Sequence, residues 1–454
     1  MKITSFKIVI FVIFSGLSTS CSDFLAEKPH SSLAILTELE DYQAILNNET
    51  RLNSNYPFAG DYASDYYYLS DEDFLSRDET GRNNYVWGSE PVHQNNWTQA
   101  YGKVYDTNVI LASIDDAELG NMTEQDRRNI KGAAYFFRGF TFYHLAQLYA
   151  PPYHRAHTAG LQGIPLRLSP DINVPSTRAT LEETYARILD DLKAAAFLLR
   201  ERPRIKTQPS KVAAYAALSR VYLTMQYYEE AAKYADSALV LQSELIDYNT
   251  LDPLSAQPQF PVLNDEVIFH AVSGNFSNIL TNNAARVDTA LYRKYENNDL
   301  RKTLFFRDNQ NGVVGFYGNY DGSPVASLFF GLATDELYLT RAECNARLGN
   351  IEKAIADLNT LLENRYLKGT YAKREYQNAE NLLASILEER EKELAFRSGI
   401  RWPDLRRLNL DPRFEKTLFR NIGDQVYTLA PNSERYTFKI PYEVIELGGI
   451  EQNP

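Results

Sequence analysis

Two helical hairpins with the same internal pattern constrain the fold of this chain more than any other sequence feature. In the first, a helix containing Tyr222 turns into a helix containing Ala231; in the second, a helix containing Ala342 turns at Gly349-Asn350 into one containing Ala354. Small residues at matching positions allow the paired helices to approach closely. The spacing of apolar residues predicts a mainly α-helical fold.

A long insertion separates the two hairpins. Ala354 follows Ala231 by 123 residues, whereas tandem tetratricopeptide-type repeats recur about every 34 residues. The segment between them, roughly 245–335, is rich in Asn, Gly, Phe and Tyr and contains strand-like runs at Glu266–Ala271 and Val313–Tyr317. We therefore expect a tetratricopeptide-type helical-hairpin scaffold with an irregular, loop-rich lobe. The lobe would comprise about 49–96 and 245–335.

Apolar spacing predicts scaffold helices over four stretches, about 97–150, 180–240, 334–365 and 380–397. The first ends before Pro151-Pro152, because proline cannot continue a helix. Thr180 and Glu183 form the pattern of a capping box. Cys344 falls within a helical pattern, so we expect a buried small apolar side chain rather than a reactive thiol. All of these helices are assigned to one domain, 33–454.

The N-terminus has the composition of a secretory signal. A short basic start precedes an apolar run from Ile8 to Phe14, which is too short to span a bilayer, and small residues follow. Cys21 stands where cleavage is expected, which indicates lipoprotein processing. We predict a signal peptide over 1–20, lipidation of Cys21 and a tether over 21–32. Ordinary signal cleavage is the alternative, because Ser18 occupies the common lipobox leucine position.

Charge and aromatic content narrow the classes of partner. With 59 acidic and 47 basic residues, the chain has a formal net charge of −12, which argues against nucleic acid. The chain also carries 31 Tyr, 23 Phe and 3 Trp. Sugar binding uses flat apolar faces beside amides or carboxylates. Four segments combine these groups: Asp61–Tyr68, Asn83–Trp97, Phe276–Asn283 and Asn309–Asp321.

Several blocks along nearly the whole chain resemble the SusD/RagB family of nutrient-uptake lipoproteins. The blocks are Cys21–Leu25 with Pro29, Lys131–Phe140 running on to Tyr149, Arg178–Tyr185, Ile386–Phe396, Arg401–Arg407, Ile440-Pro441 and Gln452–Pro454. Ile386–Phe396 is the most specific of them. The chain departs from the family pattern at Ala150 and Pro403, where the family usually has Gly and Phe, and neither departure affects the fold argument.

The resemblance implies a lipid-anchored, surface-exposed protein of the Gram-negative outer membrane. It also implies a partner, a SusC-like TonB-dependent outer-membrane barrel over which the lipoprotein sits as a lid. The usual cargo of the family is oligosaccharide, and a minority of members bind peptides. We therefore expect a cell-surface glycan-binding lipoprotein that delivers nutrient to the barrel. The alternatives are a peptide-binding RagB-like protein, a surface glycoside hydrolase, and a lid without a ligand of its own.

We expect six aromatic residues outside the predicted helices and near asparagines to be exposed, and they are the candidates for a ligand-binding platform in the lobe: Tyr66, Tyr67, Trp87, Phe316, Tyr317 and Tyr320. The alternative for each is that the ring packs under its own loop. We assign Trp97 to a helix face and Trp402 to a Trp-Pro-Asp turn, and we expect both to be structural.

The sequence gives little indication of a catalytic site or a metal site. Three histidines lack the spacing of a zinc site, namely His144, His154 and His157, so we expect no metal and no cofactor. We interpret the acidic run Glu388–Glu393 as helical i,i+4 pairs, Glu388 with Lys392, on a solvated or buttressing face. Catalytic carboxylates of a glycosidase would have to lie across a cleft. We therefore predict that the protein is not an enzyme.

Overall fold

The computed structural model describes residues 36–255, 259–309, 312–320, 322 and 327–454. The predicted signal peptide, Cys21 and the tether lie outside these described residues. Within the described part of the chain, no helix is both long and apolar enough to cross a membrane.

Helices dominate the architecture, which confirms the predicted fold class. In chain order they are α1 (Leu39–Leu46), α2 (Glu49–Leu52), α3 (Ala59–Tyr62), α4 (Asp71–Leu75), α5 (Glu79–Tyr85), α6 (Asn95–Ser113), α7 (Glu124–Tyr149), α8 (Leu181–Leu198), α9 (Lys211–Thr224), α10 (Tyr228–Leu241), α11 (Thr289–Arg293), α12 (Arg301–Phe305), α13 (Thr334–Arg347), α14 (Ile351–Glu363), α15 (Ala379–Glu393), α16 (Arg401–Leu408) and α17 (Tyr442–Gly448). Short 3-10 turns occur at Ile114–Asp116, Tyr248–Thr250 and Glu434–Tyr436.

The strands are short, and their pairings are antiparallel. They are β1 (Tyr67–Tyr68), β2 (Gln162–Pro165), β3 (Arg178–Thr180), β4 (Val267–Phe269), β5 (Arg286–Val287), β6 (Phe306–Asp308), β7 (Val314–Phe316), β8 (Leu332–Ala333), β9 (Leu418–Ile422) and β10 (Gln425–Leu429). One sheet has the order β1-β5-β7-β6, and three further pairs are β2–β3, β4–β8 and β9–β10. The predicted strand-like runs contain β4 and β7.

The helix boundaries follow from local chemistry. The Thr180 hydroxyl accepts the Glu183 amide proton at 3.1 Å, and the Glu183 carboxylate accepts the Thr180 amide proton at 2.9 Å, so the predicted capping box at the start of α8 is confirmed. α7 and α8 pack closely where α7 has glycine. A Cβ on Gly139 would lie 3.0 Å from the Cβ of Asp191, so a larger residue would push the helices apart.

The two predicted hairpins lie side by side although the lobe separates them in sequence. α9 packs on α10, α13 packs on α14, and α10 packs directly on α13. Ala231 of α10, Ala342 of α13 and Ala354 of α14 are fully buried, which permits this close approach. The two hairpins are therefore neighbours in the fold, although the insertion separates them in the sequence.

The lobe has its own aromatic core and also contacts the scaffold. Phe269 of β4 packs on three rings of α7, at centroid distances of 4.9 Å from Phe136, 5.7 Å from Phe137 and 5.9 Å from Phe140. The segment 49–96, which the sequence predicts as irregular, contains the four short helices α2 to α5. Helices this short are not stable alone and depend on tertiary packing, so periodicity does not reveal them.

The acidic run of α15 differs from its interpretation as a solvated face. Glu389, Lys392 and Glu393 are buried, and the Lys392 ammonium lies 3.0 Å from Glu389 and 2.9 Å from Asp299, not in a pair with Glu388. Of the two predicted alternatives, the solvated face is therefore wrong and the buttressing face fits, because an arginine-rich environment, distant in sequence, compensates the burial of these carboxylates.

The Trp-Pro-Asp segment is also different from its prediction as a turn. Trp402, Pro403 and Asp404 lie inside α16. Proline is tolerated there because the first turn of a helix has no intrahelical partners for its amide protons. Trp402 is 1% exposed and Cys344 is fully buried, so both are structural as predicted. Burial raises the pKa of the Cys344 thiol, which keeps it protonated.

Candidate functional site

His93 and Phe276 form a stacked pair of rings at the surface of the lobe. Their centroids lie 4.9 Å apart with an angle of 20° between the ring planes. Phe276 is 40% exposed, and His93 is partly exposed. Phe58 is buried and lies 5.5 Å from Phe276 and 6.2 Å from His93. We call these three rings the platform.

Asn96 holds the His93 side of the platform. This fully buried side chain donates to the His93 carbonyl at 2.7 Å. Its oxygen accepts the amide protons of Phe58 at 2.7 Å and Ala59 at 2.9 Å. One amide at the start of α6 therefore links the loop that carries His93 to the backbone of Phe58.

Close backbone approach and two hydrogen bonds hold the Phe276 side. A Cβ on Gly274 would lie 2.8 Å from the Phe58 ring and 3.0 Å from the Phe276 ring, so glycine is required here. The Tyr62 hydroxyl donates to the Asn275 side chain at 2.8 Å, and Arg77 donates to the Asn278 carbonyl at 2.9 Å.

The imidazole of His93 is in its neutral form near pH 7. Partial burial lowers its pKa, and the negative charge of Asp78 opposes this effect. The Asn95 amide donates to His93 Nδ1 at 3.2 Å, so the ring proton belongs on Nε2. The platform therefore combines an uncharged stacking surface with a potential hydrogen-bond donor.

A polar groove lies beside the platform and has a volume of about 540 Å³. Its lining residues are Glu79, Thr80, Asn83, Glu90, Pro91, Val92, His93, Gln94, Pro441, Tyr442 and Glu443. Glu90 is positioned by Tyr442, whose hydroxyl donates to its carboxylate at 2.9 Å, and by Asn83, whose side chain donates to its carbonyl at 2.8 Å. These described lining residues include three glutamates and neither lysine nor arginine.

A second cavity, the apolar cleft, has a volume of about 450 Å³. It lies between α6 and α17 and is lined by Trp97, Thr98, Tyr101, Tyr105, Asn108, Pro165, Arg167, Ser169, Ser176, Glu443, Val444, Leu447, Gly448 and Ile450. Glu443 lines both the polar groove and the apolar cleft. The two cavities therefore adjoin at the start of α17.

Comparison with known proteins identifies the family. A family model described as starch-binding associating with outer membrane matches residues 23–223, and a model described as the SusD family matches residues 334–445. SusD-like protein P2 of Formosa agariphila is 30% identical over 242 residues, which are 51% of this chain and 45% of that protein. The chain belongs to the SusD/RagB family.

Solved structures share the fold, among them members of the SusD superfamily. A putative sugar binding protein of Bacteroides vulgatus matches with a TM-score of 0.75 at 20% identity, over 93% of this chain and 99% of its own. A SusD superfamily protein of Bacteroides thetaiotaomicron matches with a TM-score of 0.75 at 21% identity, over 92% of this chain and 100% of its own. At these identities the likeness establishes the fold alone.

Five of the six predicted platform residues of this SusD-family chain are buried, with exposures from 1% to 8%: Tyr66, Tyr67, Trp87, Phe316 and Tyr320. The expectation that they are exposed is therefore wrong. Their rings build the lobe and its junction with the scaffold, and a ring packed on its faces offers none to a ligand. Tyr317 is partly exposed, and its hydroxyl donates to Asn309 at 2.8 Å, so its binding role stays a prediction.

The structure brings the buried candidates together in two clusters. Tyr66 and Phe316 both stack on Phe396, at 5.4 Å and 4.4 Å. Tyr67 and Trp87 both lie against the Arg420 guanidinium, at 5.4 Å and 5.0 Å. Tyr320 makes neither of these contacts; its ring lies 3.3 Å from the Arg397 guanidinium, in the same aromatic core as Tyr66 and Phe316. None of these contacts is local in sequence.

His93 and Phe276 lie in two of the segments whose composition suggests sugar binding, Asn83–Trp97 and Phe276–Asn283. Neither is among the six aromatic residues that the sequence analysis proposes for ligand binding. The content of asparagine and aromatic residues distinguishes both segments from the rest of the chain. It does not show which ring within a segment is exposed. The available signal for Phe276 is its position between Gly274 and Asn278, since Asn278 adopts a left-handed backbone with φ 50°.

Three buried carboxylates lie close enough together to bind a cation. Their ion-pair partners are arginines, as in a structural network of ion pairs. Oxygens of Glu266, Asp335 and Glu393 all lie within 4.8 Å of one another. Arg365 lies 2.7 Å from both Glu266 and Glu393, and Arg397 lies 2.6 Å from Asp335. Arginines thus supply the compensating charge for each carboxylate.

Proposed function

We propose that this SusD-family protein is a non-catalytic, cell-surface glycan-binding lipoprotein that delivers oligosaccharide to a SusC-like TonB-dependent outer-membrane transporter. The observation that carries the proposal is the exposed His93–Phe276 stack beside a groove lined by amide and carboxylate groups. Family membership supports it, as does the sugar-binding name of one structural relative.

Binding combines stacking with hydrogen bonds. A pyranose ring placed on Phe276 covers an apolar face that is otherwise exposed to water. The Nε2 proton of His93 is available to a sugar oxygen, and the carboxylates of Glu79 and Glu443 are available to sugar hydroxyls. The groove is open to solvent, so we expect moderate affinity. Moderate affinity suits a protein that must release its cargo to a transporter.

Calorimetry against neutral malto-, cello-, xylo-, laminari- and manno-oligosaccharides tests the proposal. We expect one series to bind, and Phe276→Ala to weaken that binding by about tenfold or more, since an aromatic contact contributes roughly 0.5–1.5 kcal/mol beyond its buried area. Phe419→Ala is the matched control. Phe419 is 58% exposed on β9 and lines neither cavity.

Three results would count against the proposal. Saturable binding of peptides without binding of any glycan would favour the RagB-like alternative. Release of reducing sugars by the purified protein would favour a hydrolase. Equal loss of affinity in Phe276→Ala and Phe419→Ala would show that the platform is not the site.

A further inference from the structure

We infer that the apolar cleft binds an aromatic substituent of the oligosaccharide, so that the preferred ligand is an aryl- or aromatic-acyl-substituted glycan. The inference rests on the proposed function, because it requires a glycan in the neighbouring polar groove. Beyond the proposed function, it assigns a second binding subsite and specifies the chemical class of the glycan.

The cleft is reachable from the groove. Glu443 lines both cavities, and Gln94 of the groove lies one helical turn before Thr98 of the cleft. A ligand chain that leaves the platform along the groove therefore meets the cleft at Glu443, where α6 and α17 adjoin.

The lining of the cleft provides rings and aliphatic groups. The rings of Trp97 and Tyr101 lie 4.7 Å apart, and Tyr105 on the next turn is 45% exposed. Leu447 on the opposite side is 91% exposed, which is unusual for a leucine beside other apolar groups. With a volume of about 450 Å³, the cleft is within the usual range for a bound small molecule.

The polar side chains of the cleft explain why we infer an apolar occupant and not a further sugar ring. The hydroxyl of Tyr101 donates to the Pro165 carbonyl at 2.8 Å. The Asn108 side chain donates to the Arg167 carbonyl at 2.9 Å and accepts from Arg138 at 2.9 Å.

The polar side chains that line the cleft from the segment 165–176 are engaged in the same way. Arg167 donates to Ser176 at 3.0 Å and to the Asp171 carbonyl at 2.7 Å, and Ser169 accepts from the Asp171 amide at 3.1 Å. Away from the Glu443 carboxylate and the exposed Tyr105 hydroxyl, a bare sugar would lose hydrogen bonds of its hydroxyls with water and find few free partners in exchange, which costs free energy. An aromatic group carries no such cost.

Paired glycosides test the inference. We would measure affinities for the p-nitrophenyl and methyl glycosides of maltotriose, cellotriose, xylotriose, laminaritriose and mannotriose. For the series that binds, we expect the aryl glycoside to bind about tenfold more tightly than the methyl glycoside. Leu447→Glu should remove this ratio and leave the methyl glycoside unchanged, because a charge then sits at the edge of the cleft.

Leu254→Glu is the matched control, since Leu254 is also 91% exposed and lines neither cavity. Equal affinities for the two glycosides, or an unchanged ratio in Leu447→Glu, would overturn the inference and leave the proposed function intact. Absence of binding for every methyl and aryl glycoside would overturn the proposed function and this inference with it. Loss of methyl glycoside binding in Phe276→Ala supports the proposed function separately.

Discussion

At the scale of single residues, Phe396 shows how the lobe uses its aromatic side chains. Its backbone is left-handed, with φ 58°, and its ring is stacked by Phe316 at 4.4 Å and by Tyr66 at 5.4 Å. A non-glycine residue in this conformation requires support from its surroundings. The two rings that the sequence suggested for ligand binding therefore support Phe396.

Replacing Phe316 should affect stability and not ligand affinity. Phe316→Ala removes a buried ring and leaves a cavity, and we expect a loss of about 3–5 kcal/mol in the free energy of unfolding. Urea denaturation measures the change. Tyr317→Ala, at the partly exposed neighbour, is the control and should cost less. Wild-type stability together with lost glycan affinity in Phe316→Ala would return Phe316 to the binding site.

Asp61 is a carboxyl group in a site that disfavours its charge. It is buried, accepts the Gly399 amide proton at 3.0 Å and accepts the Ser398 hydroxyl. Burial raises its pKa from 3.8 to about 7, although both hydrogen bonds oppose the shift. The folded protein therefore keeps a proton here that the unfolded chain releases near pH 4.

Asp61 should make stability fall as pH rises. Between pH 4 and 7 the native state binds more protons than the unfolded state, so the contribution of Asp61 is present at low pH and is lost as pH rises through about 7. We expect the stability of the wild type relative to Asp61→Asn to decline over this window and then level off. Urea unfolding at several pH values measures this difference. A pH-independent difference would contradict the raised pKa.

At the scale of elements, α15 is held by charge as well as by apolar packing. Arg301 is fully buried and lies 2.7 Å from Glu389 and 3.0 Å from Glu393 on this helix. Arg365, which follows α14, lies 2.7 Å from Glu393 and 2.7 Å from Glu266 before β4. The network therefore joins two scaffold helices to the lobe.

Removing one partner from this network should be costly. Arg365→Met leaves the Glu266 and Glu393 carboxylates buried without this cation, and we expect a loss of about 3–5 kcal/mol in thermal or urea unfolding. Lys373→Ala is the control, because the Lys373–Glu363 pair has side chains 71% and 47% exposed. That change should stay within about 0.5 kcal/mol. Similar losses in both variants would contradict the special role of the network.

The sequence predicted the long helices well and the short elements poorly. α7 covers Glu124–Tyr149 because its apolar spacing, its N-cap at Thr123 and the following prolines all indicate one helix. For the short helices α2 to α5, apolar spacing, capping residues and helix-ending residues do not together indicate a helix. Their conformation depends on contacts with residues far along the chain, such as the hydrogen bonds of Asn96 with Phe58 and Ala59.

At the scale of the whole molecule, lobe and scaffold should unfold together. Phe269 of β4 packs on α7, and the Arg365–Glu266 ion pair is fully buried between scaffold and lobe. Hydrogen exchange under native conditions should therefore give similar opening free energies for β4 and for α10. Much faster exchange across β4, with α10 still protected, would show that the lobe unfolds separately.

The predicted membrane anchor at Cys21 is a separate question from the fold. We predict that Cys21→Ser prevents acylation and moves the protein from the outer-membrane fraction to the soluble fraction, with glycan affinity unchanged. Metabolic labelling with palmitate and membrane fractionation measure this. Labelled, membrane-bound Cys21→Ser protein would contradict the anchor, and wild type without label would favour ordinary signal cleavage.

The sequence by itself determined the helical scaffold and the family, and it marked the segments that contain His93 and Phe276 of the proposed platform. These properties follow from periodicity, capping and ordered motif blocks, which are encoded within short stretches of chain. Only the tertiary structure decided which rings are exposed. Phe276 and Phe316 look alike in sequence, yet Phe276 is 40% exposed and Phe316 is 8% exposed. Burial depends on what the rest of the chain packs against each ring, and that information is not local.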